Sequence, residues 1–304
     1  MRAAVVESGS TASQPSAARP AAAKPAGAKP AGSAAASSRP AVAGARPIAV
    51  RSLVALGDSF TEGVGDPWPD GSACRGWADR LAEILAAQSP GLRYANLAIR
   101  GKMLAQVLDE QVPAAAAMRP DLVTIAAGGN DLLRPRVDPD LLAEPFNDAI
   151  QQLTAAGSRV LIFAGFNPSL FPLIRMIRGR AAIFNAHLRA IARRHDCLLV
   201  DLWTMRVLSD PRMWGEDRLH LSPEGHRRVA LRTAEELGVP VEASWREPLP
   251  LVQRAAGSGP AWLAARRLDV RWVRGYAAPW VRRRLAGVSS GDGMSPKRPD
   301  LVPL

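Results

Sequence analysis

Between residues 52 and 240 short apolar runs alternate with stretches in which apolar side chains return every three or four positions. Residues 52 to 58, with the run Leu53-Val54-Ala55-Leu56, predict a buried strand, followed by a Gly-rich loop from Gly63 to Gly76. From Trp77 to Ala87 the residues Trp77, Leu81, Ile84 and Leu85 fall on one face of a helix, which Pro90-Gly91 ends. The alternation repeats. Strands are expected at residues 94–98, 122–127, 159–164 and 197–202, and helices near residues 103–112, 140–155 and 181–194. A last helix starts at Ser222-Pro223-Glu224, with Ser222 as N-cap and Pro223 in the first turn, and ends at Gly238.

Five short apolar strands separated by helical periods imply an α/β fold, with a mostly parallel five-stranded sheet covered by helices on both faces. This body occupies residues 51–240. Residues 1–50 are mostly Ala, Pro, Ser and Gly, which bury too little surface to offset chain entropy, so a disordered arm is expected there. Residues 241–304 form a basic extension in which Trp262, Trp272 and Trp280 sit among arginines. It is expected to lay its tryptophans on the body, and residues 289–304 read as a flexible tail.

The formal net charge of +11 suggests a nucleic-acid partner until it is located. Lys and Arg outnumber Asp and Glu by 7 to 1 in residues 1–51 and by 11 to 4 in residues 246–304, whereas the middle holds 21 against 23. Basicity belongs to the ends, where it suits weak contact with an anionic surface; no specific nucleic-acid module is recognisable. No run of about 18 apolar residues suggests a transmembrane segment. The stretch Ala3-Ala4-Val5-Val6, interrupted by Glu7, is too short for a signal peptide, so a cytoplasmic location is expected. Cys74 and Cys197 lack metal-ligand spacing and are expected to be reduced and structural.

Three patches carry candidate chemistry. Gly57-Asp58-Ser59 closes the first strand, Gly128-Gly129-Asn130-Asp131 follows the third, and Asp217 precedes His220 by three residues. Ligand crevices of open α/β sheets lie beyond the carboxyl ends of the strands, where two of these patches fall. A serine hydroxyl becomes nucleophilic only with a base in reach and a third group orienting that base, roles open to His220 and Asp217. Acyl transfer also needs donors for the developing oxyanion, and the N–H groups of Ser59 and Gly101 and the amide of Asn130 qualify. Asp131 reads as a loop brace. His226 reads as an interface or surface residue, and His187 and His195 as outside any site. Asp217 and His220 as metal ligands lack a third partner at useful spacing.

With Gly57-Asp58-Ser59-Phe60, Gly63, Asn96, Gly101, Gly128-Gly129-Asn130-Asp131 and Asp217-Arg218-Leu219-His220 in this order, residues 52–237 resemble the SGNH, or GDSL-type, esterase and lipase superfamily. The resemblance implies a three-layer, flavodoxin-like α/β/α sandwich. It assigns Ser59 as nucleophile, His220 as base, Asp217 as its orienting acid, and Ser59, Gly101 and Asn130 as the oxyanion hole. It implies a small acyl-ester substrate and no metal or organic cofactor. Phe60 stands where leucine is common in that family. Arg100 and Lys102 flank Gly101 where small or hydroxylated residues are frequent, which suggests either a narrower pocket or an anionic acyl group.

The same site chemistry also fits a thioesterase, a carbohydrate deacetylase or an acyltransferase. An interaction protein that binds anionic surfaces through its basic tails is the alternative of another class. The segment from Ala164 to Arg180, with Phe166, Pro168, Leu170, Phe171 and Pro172, is the candidate apolar rim.

Overall fold

The computed structural model describes residues 49–170, 174–250, 270–279, 282 and 289–304. The expectations for residues 1–48, and for Trp262, Trp280, Phe171 and Pro172, lie outside the described residues.

Six strands form one sheet: β1 (Ser52–Gly57), β2 (Arg93–Asn96), β3 (Leu122–Ala126), β4 (Arg159–Ala164), β5 (Leu198–Asp201) and β6 (Arg298–Pro303), in the order β5-β4-β3-β1-β2-β6. The five strands expected from apolar runs pair in parallel. The sixth was not expected. β6 pairs antiparallel with β2, placing Arg93 opposite Pro303 and Tyr94 opposite Val302, so residues expected to be a flexible tail form an edge strand.

Because successive side chains point to opposite faces, β1 divides its apolar residues between two cores. Leu53 and Ala55 pack with Trp77, Leu81 and Leu85 of α2 (Gly76–Gln88) and with Val229, Ala230 and Ala234 of α8 (Pro223–Glu236). Val54 and Leu56 pack with Leu104 of α3 (Leu104–Gln106), Val112 of α4 (Val112–Met118), Ile150 of α6 (Ala143–Ala155) and Leu188 of α7 (Arg178–Arg194). The result is the expected three-layer sandwich. Ser222 caps α8 by accepting the Gly225 N–H at 3.3 Å, with Pro223 in the first turn.

The strand order reverses direction between β1 and β3, since the chain moves from β1 to β2 on one side and then returns to β3 on the other. The loops after these two strands diverge there, opening a crevice at their carboxyl ends. The turn after β1 holds Ser59 and the turn after β3 holds Asn130. Buried Gln111 steadies the first of them, donating to the Gly57 carbonyl at 3.0 Å and accepting from the Gly57 N–H at 2.8 Å.

Candidate active site

Ser59 opens the short helix α1 (Ser59–Glu62), for which Asp58 is the N-cap, accepting the Phe60 N–H at 3.1 Å. Phe60 is partly buried, packing against the core while also bordering the same cavity as Ser59. Its ring lies 5.6 Å from both Trp77 and Phe163 and stacks on His226 at 6.4 Å. Such aromatic contacts contribute about 0.5–1.5 kcal/mol each and fix α1 from beneath.

His220 Nε2 lies 3.0 Å from Ser59 Oγ, and His220 Nδ1 lies 2.5 Å from Asp217 Oδ2. The 161-residue separation of Ser59 and His220 is bridged by one compact loop. Trp214 and Leu221 form an isolated bridge at its base, the Gly215 N–H donates to the His220 carbonyl at 2.8 Å, and Arg218 turns at φ 55°. Asp217 also accepts the N–H groups of Leu219 and His220, each at 3.0 Å. Burial alone would raise the pKa of Asp217, but hydrogen bonds from the His220 ring and these backbone groups hold it below the usual carboxylate value.

Helical residues 270–279 brace this loop from outside. Trp272 Nε1 donates to the Asp217 carbonyl at 2.8 Å, the Tyr276 hydroxyl donates to Glu216 at 2.9 Å, and the Arg218 guanidinium lies 5.3 Å from the Trp272 ring. Of the three extension tryptophans, the described one does lie on the body.

Gly101 sits in the turn after β2 at φ 77°, and Asn130 lies in α5 (Gly129–Leu132). The Asn130 side-chain amide spans the two turns, donating to Asp58 Oδ2 at 3.1 Å and to the Lys102 carbonyl at 3.0 Å. Asp131 braces the loop by accepting the Leu104 N–H at 2.8 Å. Burial pushes the Asp58 carboxyl up to about 6, against the lowering effects of the Phe60 N–H and His220. Ser59, Gly101, Asn130, Asp217 and His220 thus border one cavity of about 390 Å³. Such an arrangement can activate a hydroxyl, protonate a leaving group and hold a developing oxyanion.

The cavity wall is mainly apolar, with Phe163, Phe166, Ile177, Phe184, Leu188 and Trp214 among its residues. Phe166 and Pro168 place part of the expected rim there. Ala181, Phe184 and Leu188 of α7, and Ser290 from the C-terminal segment, were not anticipated. The α7 residues were hidden in an amphipathic pattern that already accounted for core packing.

Two expectations about charge and exposure are corrected. Arg100 is bound by Glu62, with Nε 2.8 Å from Oε1, and Lys102 is bound by Glu110 at 2.6 Å, so both cations beside Gly101 already have carboxylate partners. This removes the motive for an anionic acyl group. His226 is fully buried between two backbone groups, accepting the Trp77 N–H at Nδ1 (3.1 Å) and donating from Nε2 to the Val64 carbonyl (3.1 Å). Burial lowers its pKa to about 4. His187 and His195 face Asp140 and Asn147, away from the cavity.

Cys74 and Cys197 are both free thiols, and burial pushes Cys197 up to about 11. Among the described residues no group of three or more His, Cys, Asp or Glu side chains is placed to hold a metal ion, and no helix is long and apolar enough to cross a membrane.

A family model described as the GDSL-like Lipase/Acylhydrolase family matches residues 55–228. Solved structures similar to this chain include TesA, at 27% identity and a TM-score of 0.52, over 61% of this chain and 97% of TesA. The acetylxylan esterase Axe2 from Geobacillus stearothermophilus is 21% identical, with a TM-score of 0.52 over 65% of this chain and 96% of Axe2. The psychrotrophic esterase EstA from Pseudoalteromonas sp. is 16% identical, with a TM-score of 0.51 over 62% of this chain and 97% of EstA. At these identities Axe2 and EstA speak for the fold alone. No curated protein matches the chain.

Proposed function

The chain belongs to the GDSL-like lipase/acylhydrolase family, the SGNH hydrolases, and from that premise we propose that it cleaves carboxylic esters through an acyl-serine intermediate. The observation that carries this reading is the hydrogen-bonded series Asp217–His220–Ser59, which ends on a hydroxyl at the mouth of an apolar cavity.

In the first half-reaction Ser59 Oγ attacks the ester carbonyl carbon while His220 Nε2 takes the hydroxyl proton. Asp217 holds the opposite ring N–H and stabilises the imidazolium. The tetrahedral oxyanion is received by the N–H groups of Ser59 and Gly101 and by the Asn130 amide, which exchanges its bond to the Lys102 carbonyl for one to the oxyanion. As the intermediate collapses, His220 returns the proton to the departing alcohol. Water then attacks the acyl-serine, His220 takes a proton from it, and collapse releases the carboxylic acid and restores the Ser59 hydroxyl.

The cavity favours an apolar acyl chain of several carbons over acetate. Each further methylene buried is worth about 0.8 kcal/mol, or roughly a fourfold gain in kcat/KM, until the cavity is filled. A thiol ester would use the same steps, because the residues named act on the carbonyl and on the leaving atom's proton rather than on the rest of the leaving group.

The test is hydrolysis of p-nitrophenyl esters from acetate to octanoate by the wild type and Ser59→Ala. Turnover that rises with acyl length and vanishes in Ser59→Ala is expected. Equal rates in the two proteins across the panel would overturn the reading.

A further inference from the structure

The candidate oxyanion turn is touched by residues far beyond the segment that the family model matches. Gly291 is buried, and a Cβ built on it would stand 2.0 Å from the Arg100 carbonyl oxygen and 3.1 Å from its carbonyl carbon. That carbonyl belongs to the same planar peptide unit as the Gly101 N–H. Gly101 answers the contact from its own side, since its Cβ would stand 2.1 Å from Ser289 Oγ. The Gly291 backbone can approach the Arg100 carbonyl, and the Ser289 side chain can approach Gly101, because neither glycine carries a side chain.

This segment is anchored. The Gly291 N–H donates to Ser289 Oγ at 3.2 Å, and the Ser289 N–H donates to Asp292 at 2.8 Å. Six residues after Gly291, Lys297 Nζ lies 2.7–2.8 Å from the carbonyl oxygens of Glu62, Cys74 and Arg75 and from the Asp79 carboxylate, which share its three N–H donors. Glu62 ends the helix that Ser59 begins, and its carboxylate accepts the Arg100 N–H at 2.6 Å. β6 then joins the sheet. Arg100 is therefore held at its N–H by Glu62 and pressed at its carbonyl by Gly291.

Resting on the ester-hydrolase reading, we propose that residues 289–297 are a positioning strap of the oxyanion hole, in which Gly291, anchored through Lys297, sets the tilt of the Arg100–Gly101 peptide and so aims the Gly101 N–H. A methyl group at position 291 has to displace the Arg100 oxygen, and because the peptide is planar the Gly101 N–H swings with it. Removing an oxyanion donor costs about 10²–10³ in kcat, so misaiming one is expected to cost about 10- to 100-fold. The loss falls on kcat, because the donor matters more to the oxyanion than to the ester carbonyl.

The experiment compares full-length wild type, Gly291→Ala, Lys297→Met, Asp300→Ala and Ser59→Ala. It measures kcat and KM on the p-nitrophenyl ester that the wild type cleaves best, and the Gly101 amide signal by ¹H–¹⁵N NMR. The expected result is a loss of kcat in Gly291→Ala of the size given, with KM held within about twofold and the Gly101 amide displaced. Lys297→Met should follow in the same direction, while Asp300→Ala on the exposed side of β6 matches the wild type. A folded Gly291→Ala with wild-type kcat and an unmoved Gly101 amide overturns the proposal, as does a change confined to KM. If Gly291→Ala does not fold, Lys297→Met, assayed below its melting temperature, decides on the same two readouts. Equal turnover in wild type and Ser59→Ala overturns the ester reading and the proposal with it. That outcome differs from a Ser59-dependent wild type whose strap variants are unimpaired.

Discussion

The Asn130 amide donates to the carboxylate of Asp58 at 3.1 Å, which joins the turn after β3 to the turn that presents Ser59. The anchor is a buried carboxylate whose pKa burial raises to about 6. Raised above its unfolded value of 3.8, such a group leaves the folded state least penalised below pH 3.8. Stability is lost as pH rises to about 6 and stays lower above that. Asp58→Asn is therefore expected to raise stability at pH 8 by as much as about 3 kcal/mol, an advantage that disappears near pH 4. Activity should move the opposite way by about tenfold, because one amide oxygen cannot serve both the Phe60 N–H and Asn130. Denaturant melts at pH 4 and pH 8, paired with kcat at pH 8, check both halves.

His226 has the opposite sign. Its folded pKa, about 4, lies below the ordinary 6.5, so stability is full above pH 6.5 and is lost as pH falls towards 4, by up to about 3 kcal/mol. In the wild type the Asp58 and His226 contributions oppose each other over much of the same range. His226→Gln should uncover the Asp58 slope and Asp58→Asn the His226 slope. Unfolding free energies at half-unit pH steps for the three proteins would show whether they diverge in this way.

Asp217→Asn is expected to keep the fold and lower kcat by about 10³- to 10⁴-fold, because an amide in that place no longer favours the ring tautomer with its proton on Nδ1. Ser59→Ala and His220→Ala should each lose at least as much. The Ser59→Ala/His220→Ala double variant should be no worse than either single one, since the residues act as a unit. Rates measured beside melting temperatures separate this from unfolding; multiplicative losses in the double variant would argue against a shared mechanism.

The Lys297–Asp79 pair, 2.8 Å apart with both side chains largely buried, predicts a large stability effect. Lys297→Met leaves the Asp79 carboxylate without its cation, and breaking such a pair from one side costs about 3–5 kcal/mol. Adding Asp79→Asn should recover part of the loss, since no buried charge then remains. A double-mutant cycle in urea checks this, and strictly additive losses would show that the two side chains are uncoupled.

The parallel core was legible because β1, β3, β4 and β5 are largely apolar runs, and β2 leads into Leu97-Ala98, all bounded by turns and separated by helical periods. Ser59, Asp217 and His220 were legible as a set because three short patches stand in a meaningful order, and folding brings those residues together. β6 was illegible for a physical reason. An edge strand pairs on one side only and tolerates Pro299 and Pro303, so it needs neither an apolar run nor strict alternation. Lys297 gave no local signal, since its acceptors lie 218–235 residues away. His226 was misread because α8 buries most of its circumference, including Gly225, Arg228, Val229 and Ala230, so helical spacing did not separate an outer face from an inner one.

The antiparallel pairing of β6 also bears on how the molecule behaves when crowded. Without it, β2 would offer a row of unpaired amide and carbonyl groups to any passing strand. The strand that covers this row is itself a poor template, because Pro299 and Pro303 have no N–H and Asp300 is exposed with its charge. Strand addition is therefore disfavoured at this border, so concentrated solutions should resist fibre formation from this side of the sheet, and removal of residues 298–303 should reopen it.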